Sequence, residues 1–350
     1  MSRRKLIFVA TSAVVAMCLA TANSAFADNG SSSDEAVSSV TKADPSLAED
    51  AVKVSEENIT GQSPLNVGDS QITLPKDAAK TIEVDSKDRS DISVSLPFAE
   101  TAASAQVVAD RVVYDNQNGS KTVPVPRGDG SMQINTVIES PSAPTAYPYT
   151  FSVPGTAEVR EEGGTVLFLD QDGKMLGGLA PAWAKDANGN SVPTHYEVSG
   201  TAVTQVVEHG EGSAYPIVAD PWWDDMLFMG FTDSRKPYYN GQPVYSAMLT
   251  PWGWRVYTGT TRSVPMIPGL PGSNVLIGNA IIRTFGWDEW KTFLVGPDPA
   301  DTLKQQYDCH VLVGYAVWKA GFHWDLEAGR PSRPNWQYDG LFDHQCNWDD

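Results

Sequence analysis

Between Cys309 and Pro331 the chain reads CHVLVGYAVWKAGFHWDLEAGRP, and three of these side chains could together carry chemistry. His310 has an ordinary pKa near neutrality, which suits a general base. Glu327 is a candidate acid. Arg330 offers a planar fork that can hold an anionic group. A histidine, a carboxyl and a guanidinium in one place could serve phosphodiester cleavage. The same residues also have a packing role open to them. Glu327 and Arg330 stand three apart and can pair, His310 can donate to a backbone carbonyl, and Trp324 can plug a core. No G-x-S-x-G, HExxH, P-loop or GxGxxG pattern occurs in the chain. A metal site from His310, Asp343 and His344 would match no familiar ligand spacing, so neither metal nor cofactor is expected. His195 and His209 fall among strand-like runs and read as surface or strand residues.

Aromatic residues offer a second chemistry. Ten of the eleven tryptophans lie at or beyond Trp222. An aromatic face beside polar edges suits a sugar ring. Trp252, Trp254 and Trp324 are therefore candidate ligand platforms, with Trp222, Trp223, Tyr238 and Tyr239 as further ones. Core packing competes for every one of them.

The ends of the chain say where such a site would work. Arg3, Arg4 and Lys5 form a positive start, LIFVATSAVVAMCLA an apolar stretch, and Ala25-Phe26-Ala27 an A-x-A cleavage site before Asp28. This is the pattern of a secretory signal peptide over residues 1–27. The apolar stretch is shorter than the roughly 20 residues a bilayer span needs. No later segment is long and apolar enough to span. The expected location is secreted, extracellular or associated with the cell wall. Removal of the signal leaves Cys309 and Cys346, which an oxidising compartment should pair. Such a bridge closes a loop of about 38 residues, worth about 4 kcal/mol in the chain-entropy description. The net charge is −18, with −4 in residues 221–350 and −17 in residues 28–220. That acidity argues against nucleic acid as a partner, since phosphate backbones call for clustered Lys and Arg.

Three zones must position these groups. Residues 28–66 carry eight acids, two lysines and no aromatic residue. They read as a mostly disordered acidic leader. Residues 67–220 read as all-β, a sandwich or open barrel. Short alternating runs (SQITL, TIEVD, DISVSL, VVYDN, SMQINTVIES, YTFSV, TVLFLD, YEVSG, AVTQVVEH) are broken at Asn118-Gly119, Asp129-Gly130, Gly163-Gly164, Asp172-Gly173 and Asn188-Gly189. DQDG at 170–173 lacks the later ligands of a calcium loop and reads as a turn. Residues 221–350 read as a small tryptophan-rich α+β domain. VYSAMLT and GWRVYTG look like a strand pair turning at Thr250-Pro251-Trp252-Gly253. Residues 279–295 look like an amphipathic helix, and a second helix starts near Asp301. The remainder, past the second helix, is expected to be extended and looped.

The middle zone, especially YPYTFSVPG, VLFLDQDGKMLGGLAPAWAKDANGNSVPTHYEVSG and AYPIVADP, resembles a β-rich module of exported actinobacterial proteins. The tail resembles an actinobacterial secreted family of unknown function. Its signature is CH, a Lys, W-x-LE-x-x-RP and a final CN. Here these are Cys309-His310, Lys319, Trp324 to Glu327, Arg330-Pro331 and Cys346-Asn347. A TP-x-G stretch at Thr250–Gly253 and W-x-E at Trp287–Glu289 fit the same family. Asp325 stands where that family usually has Asn. The resemblance implies export but carries no activity. Two functions follow as expectations. One is an extracellular or cell-envelope binding protein, with envelope polysaccharide as the favoured ligand. The other is a secreted, toxin-like hydrolase or nuclease with its activity in residues 221–350.

Overall fold

The computed structural model describes residues 29–231, 238–259, 278–294, 301–319, 323–336 and 346–348. Ala27, Asp28, Asp343 and His344 lie outside them. The described chain is mainly antiparallel β, with a small helical region near its C-terminus.

Two sheets face each other. The first runs β1 (Leu65–Val67), β2 (Ser70–Thr73), β3 (Ile82–Ser86), β4 (Ile92–Ser95), β9 (Ala146–Ser152), β15 (Ala202–Val207), β14 (Thr194–Ser199). The second runs β10 (Glu158–Glu162), β11 (Thr165–Leu169), β12 (Met175–Leu179), β17 (Trp222–Asp224), β8 (Met132–Ile138), β7 (Ser120–Pro126), β6 (Arg111–Asp115), β5 (Gln106–Val108). A side arm of the second sheet joins β13 (Trp183–Lys185) through β16 (Ile217–Asp220) to β8. Inward residues of both sheets, among them Val94, Phe151, Ile134 and Phe168, form one core. This is the sandwich expected from the alternating runs.

Burial explains why some runs alternate and others do not. β9 buries every second residue and leaves the rest to solvent. β8 and β11 are buried on both faces, so their sequences carry no exposed polar face. Val166 and Phe168 point into the sandwich, while Leu167 and Leu169 point out of it into a second core. The turn residues sit where the sequence places them. Gly119, Gly130, Gly173 and Gly189 all have positive φ, which those turns require. Asp170 accepts from the backbone N–H groups of Asp172 and Lys174, so DQDG is a turn.

The outer face of the second sheet is where the sequence reading needs correcting. The acidic leader is ordered. Helix α1 (Asn29–Ala43) lays Ala36, Val37, Val40 and Ala43 on Val113, Val123, Val125, Val137 and Val218. Helix α2 (Leu47–Asp50) continues the cover, and α3 (Glu56–Ile59) follows. Composition suggested disorder because the leader has too few apolar groups for a core of its own. It needs only one stripe here, since the sheet supplies the other side. Arg127, 1% exposed, secures the layer. It donates to Ser46 Oγ (3.1 Å), Asp50 Oδ2 (2.8 Å) and Gln133 Oε1 (3.0 Å), and its guanidinium lies 4.4 Å from the Trp222 ring centre.

The boundary expected at residue 221 runs through shared structure. β17 pairs with both β12 and β8, and its two tryptophans divide between the cores. Trp223 stacks on Phe151 at 6.1 Å inside the sandwich. Trp222 joins the outer core with Leu227, Trp252, Trp290 and Trp324. That outer core carries β18 (Phe228–Met229), β19 (Tyr238–Tyr239), β20 (Gln242–Leu249) and β21 (Trp324–Glu327), with β20 central. The strand expected at 253–259 is instead part of α4 (Pro251–Thr258). Thr250 Oγ1 accepts the Gly253 N–H at 2.8 Å and Pro251 opens the first turn, so the start signal outweighs the β-branched and aromatic content. A Cβ on Gly253 would collide with the Leu227 carbonyl oxygen, which accounts for glycine there. Helix α5 comprises a π turn (Ile282–Gly286) and an α segment (Trp287–Lys291). Helix α6 (Asp301–Lys319) begins where expected and extends beyond Gly314. The tail, expected to be extended and looped, contributes the strand β21, paired antiparallel to β20.

Candidate functional site

The three candidate catalytic residues do come together, but inside the C-terminal core. α6 carries Gln306 and His310 on the face turned toward β21. Gln306 pairs with the Glu327 backbone through both ends of its amide, at 2.8 and 3.0 Å. His310 Nε2 lies 3.3 Å from the Asp325 carbonyl, and its ring stacks on Trp324 at 5.7 Å. Burial pushes the His310 pKa down to about 4, so the ring is neutral at physiological pH. Its Nδ1 is buried without a partner. Glu327 pairs with Arg330 Nε. Arg330 also donates to the Trp348 carbonyl at 2.6 Å and lies 4.0 Å over the Tyr239 ring. The Cys309–Cys346 disulfide, with Cα atoms 5.4 Å apart, brings Asn347 to the same place, where its amide donates to the Asp325 carbonyl at 3.0 Å. The CH, LE, RP and CN stretches therefore meet as one buried network joining helix, strand and chain end.

Two of the three candidate ligand platforms are equally engaged. Trp252 and Trp324 are fully buried, and Trp252 donates to the Trp222 carbonyl at 2.9 Å. Trp254 is half-buried and tilted against Tyr257. Trp222 and Trp223 are buried, whereas Tyr238 is 70% exposed.

A second polar cluster ties the sandwich to the C-terminal region. Arg89, after β3, binds Asp224 and Asp225, and its Nη1 donates to the Asp129 carbonyl at 2.7 Å. Glu289 on α5 accepts from the backbone N–H groups of Leu227 (2.9 Å) and Phe228 (3.0 Å). Desolvation pushes its pKa up to about 8, against the pull of those two hydrogen bonds. These groups satisfy one another and act as a latch.

Besides those in the C-terminal core, unsatisfied groups occur beside a groove. A groove of about 440 Å³ opens between β13, the start of β14 and the last turn of α4. Trp183, Lys185, Ser191, His195, Glu208 and Arg255 give it its polar and aromatic lining. Lys185 Nζ donates to the Ala43 carbonyl at the end of α1 (2.7 Å) and lies 5.3 Å from the Trp183 ring centre. Trp183 Nε1 is buried without a partner. Asp220, opposite Trp183 in the β13–β16 pairing, is 1% exposed; neither carboxyl oxygen makes a well-formed hydrogen bond, although the Trp183 and Gln133 side chains act on it to favour its charged form. Burial pushes its pKa up to about 8, with the Arg255 charge opposing the shift. Arg255 itself makes no side-chain hydrogen bond or ion pair among the described residues.

Sequence reasoning passed over this groove. Trp183 is the one tryptophan before Trp222, which was a usable signal. Arg255 was hidden because GWRVYTG read as a strand, which put its side chain in the wrong place. Among the described residues no group of three His, Cys, Asp or Glu is placed to hold a metal ion. No described helix is long and apolar enough to cross a membrane. No family model, curated protein or solved structure matches this chain.

Proposed function

We propose that the protein is an exported, non-catalytic binding protein of the cell surface, and that its ligand is an envelope polysaccharide held in the Trp183 groove. One observation carries this reading. The residues best suited to catalysis are buried and engaged within the core, while the groove presents an aromatic ring beside the Arg255 guanidinium, which has no hydrogen-bond or ion-pair partner among the described residues. A base must reach the proton it abstracts, and a buried, neutral imidazole stacked on Trp324 does not reach substrate. A partly exposed indole flanked by Lys, Arg, Ser and His side chains suits a sugar's apolar face and hydroxyl edge. The signal-peptide pattern supplies the compartment in which such polymers occur.

The test is retention of the purified protein on isolated cell-wall polysaccharide. Wild type should be retained. Trp183→Ala and the exposed-site variant His195→Ala should each lose at least about fivefold, with thermal midpoints near wild type for His195→Ala. Failure of the folded wild-type protein to bind any wall polymer would sink the proposal.

A further inference from the structure

Arginines in this acidic protein find partners almost everywhere. Arg89 pairs with Asp224 and Asp225, Arg127 with Asp44 and Asp50, Arg160 with Glu158 and Glu162, Arg283 with Asp308, and Arg330 with Glu327. Arg111 donates to backbone carbonyls. Arg255 is the exception among the described residues, although the chain holds 43 acidic side chains against 25 basic ones. A partly buried guanidinium without an acceptor loses hydration and gains nothing in return. Its fork matches a carboxylate or a phosphate.

The surroundings leave that charge available. Asp220, in β16 opposite Trp183, is a carboxyl that feels the Arg255 charge. Its carboxyl oxygens make no hydrogen bond or ion pair with Arg255, and burial disfavours its charged form, so the guanidinium fork is left unfilled. Lys185 adds a second cation, anchored by one donor to the Ala43 carbonyl and keeping two N–H groups for other acceptors. Glu208 is the one carboxylate in the lining, and it is exposed. Trp183 brings an aromatic ring to the same cavity.

We infer that the groove is selective for negatively charged glycans, with Arg255 as the anchor for a carboxylate or phosphodiester group and Lys185 as its neighbour. This rests on the polysaccharide reading above and narrows it. Nucleic acid would present phosphates along a whole track, and two cations in a chain of net charge −18 do not match that. A sugar polymer carrying single oxyanions beside uncharged rings matches one guanidinium next to one indole.

The experiment uses the purified full chain and three soluble polymers, measured by calorimetry at low and moderate salt. Polygalacturonate presents carboxylates, poly(glycerol phosphate) presents phosphodiesters, and dextran is neutral. At least one charged polymer should bind at least about tenfold tighter than dextran and weaken as salt rises. The charged polymer that binds identifies the oxyanion. Arg255→Gln should lose about tenfold, Arg255→Lys should fall between it and wild type, and Glu208→Gln should gain about twofold. Equal binding of dextran and the charged polymers, or wild-type affinity in a folded Arg255→Gln, overturns the inference. Equal binding that Trp183→Ala abolishes would leave the polysaccharide reading standing and remove only the charge selectivity. No binding to any of the three, nor to wall polysaccharide, removes both.

Discussion

Three buried titratable side chains make the stability of this protein depend on pH in opposite ways. His310 titrates near 4 in the folded chain, against an ordinary 6.5. Below pH 6.5 the unfolded chain takes up a proton that the folded one does not, so His310 costs stability as pH falls from 6.5 to 4. Asp220 and Glu289 both titrate near 8, against ordinary values of 3.8 and 4.5. From about pH 4 to 8 the folded chain keeps protons that the unfolded one has lost, so both groups cost stability as pH rises through that window. Above pH 6.5 His310 no longer opposes them. Each group that holds its proton contributes up to about 1.4 kcal/mol per pH unit. The thermal midpoint should therefore fall between pH 6.5 and 8, and Asp220→Asn should lessen the slope. A level midpoint across that range would contradict the burial of both carboxyls. Independently, the His310 ring should stay neutral in an NMR titration down to pH 5.5; an imidazole that titrates near 6.5 would place it in solvent rather than against Trp324.

Among the secondary-structure elements, α4 is where local signals and residue composition disagreed. Thr250 Oγ1 caps the helix and also donates to the Met226 carbonyl at 2.9 Å. Thr250→Ala should cost about 1 kcal/mol for the cap and somewhat more for the second bond. Gly253→Ala should cost more, about 2–4 kcal/mol, because its Cβ meets a backbone carbonyl that cannot swing aside. Chemical denaturation should rank the two in that order, and a Gly253→Ala variant as stable as wild type would contradict the close approach of α4 to Leu227. The leader makes the complementary case. Arg127→Met keeps an apolar side chain against Trp222 but leaves Asp44 and Asp50 without their cation. Limited proteolysis should then cut within residues 29–50 much sooner than in wild type. These elements show how much could be read ahead. Runs such as TIEVD and DISVSL were legible because one face is solvated and the alternation is written in the residues. α1 was not, because its apolar stripe of Ala36, Val37, Val40 and Ala43 is short and acquires meaning only against the sheet. The candidate trio was found as a cluster, but whether it lines a cleft or fills a core depends on β21 pairing with β20, a contact across some 80 residues.

For the whole molecule, the important fact is that the C-terminal region has no core of its own. Its hydrophobic centre includes Leu167, Leu169 and Ala180 from the second sheet, together with Trp222 from β17. Arg89 and Glu289 fasten the same junction from its polar side. Cutting the chain at residue 221 keeps Trp222 but removes the three sheet residues beneath it and both strands that flank β17. Full burial of a Leu contributes roughly 1.5–3 kcal/mol. Loss of two such contacts, together with the support they give Trp252 and Trp324, is comparable to what a region of this size holds in reserve. The Cys309–Cys346 bridge limits the unfolded chain but supplies no apolar surface. Residues 221–350 expressed alone should therefore lack a cooperative thermal transition and the near-ultraviolet dichroism of packed tryptophans, with or without the disulfide. The full chain should show both, and reducing its disulfide should lower the midpoint without removing the transition. A cooperatively folded fragment would instead mean that the sheet residues are dispensable to the outer core, and the region would then have to be treated as an independent domain.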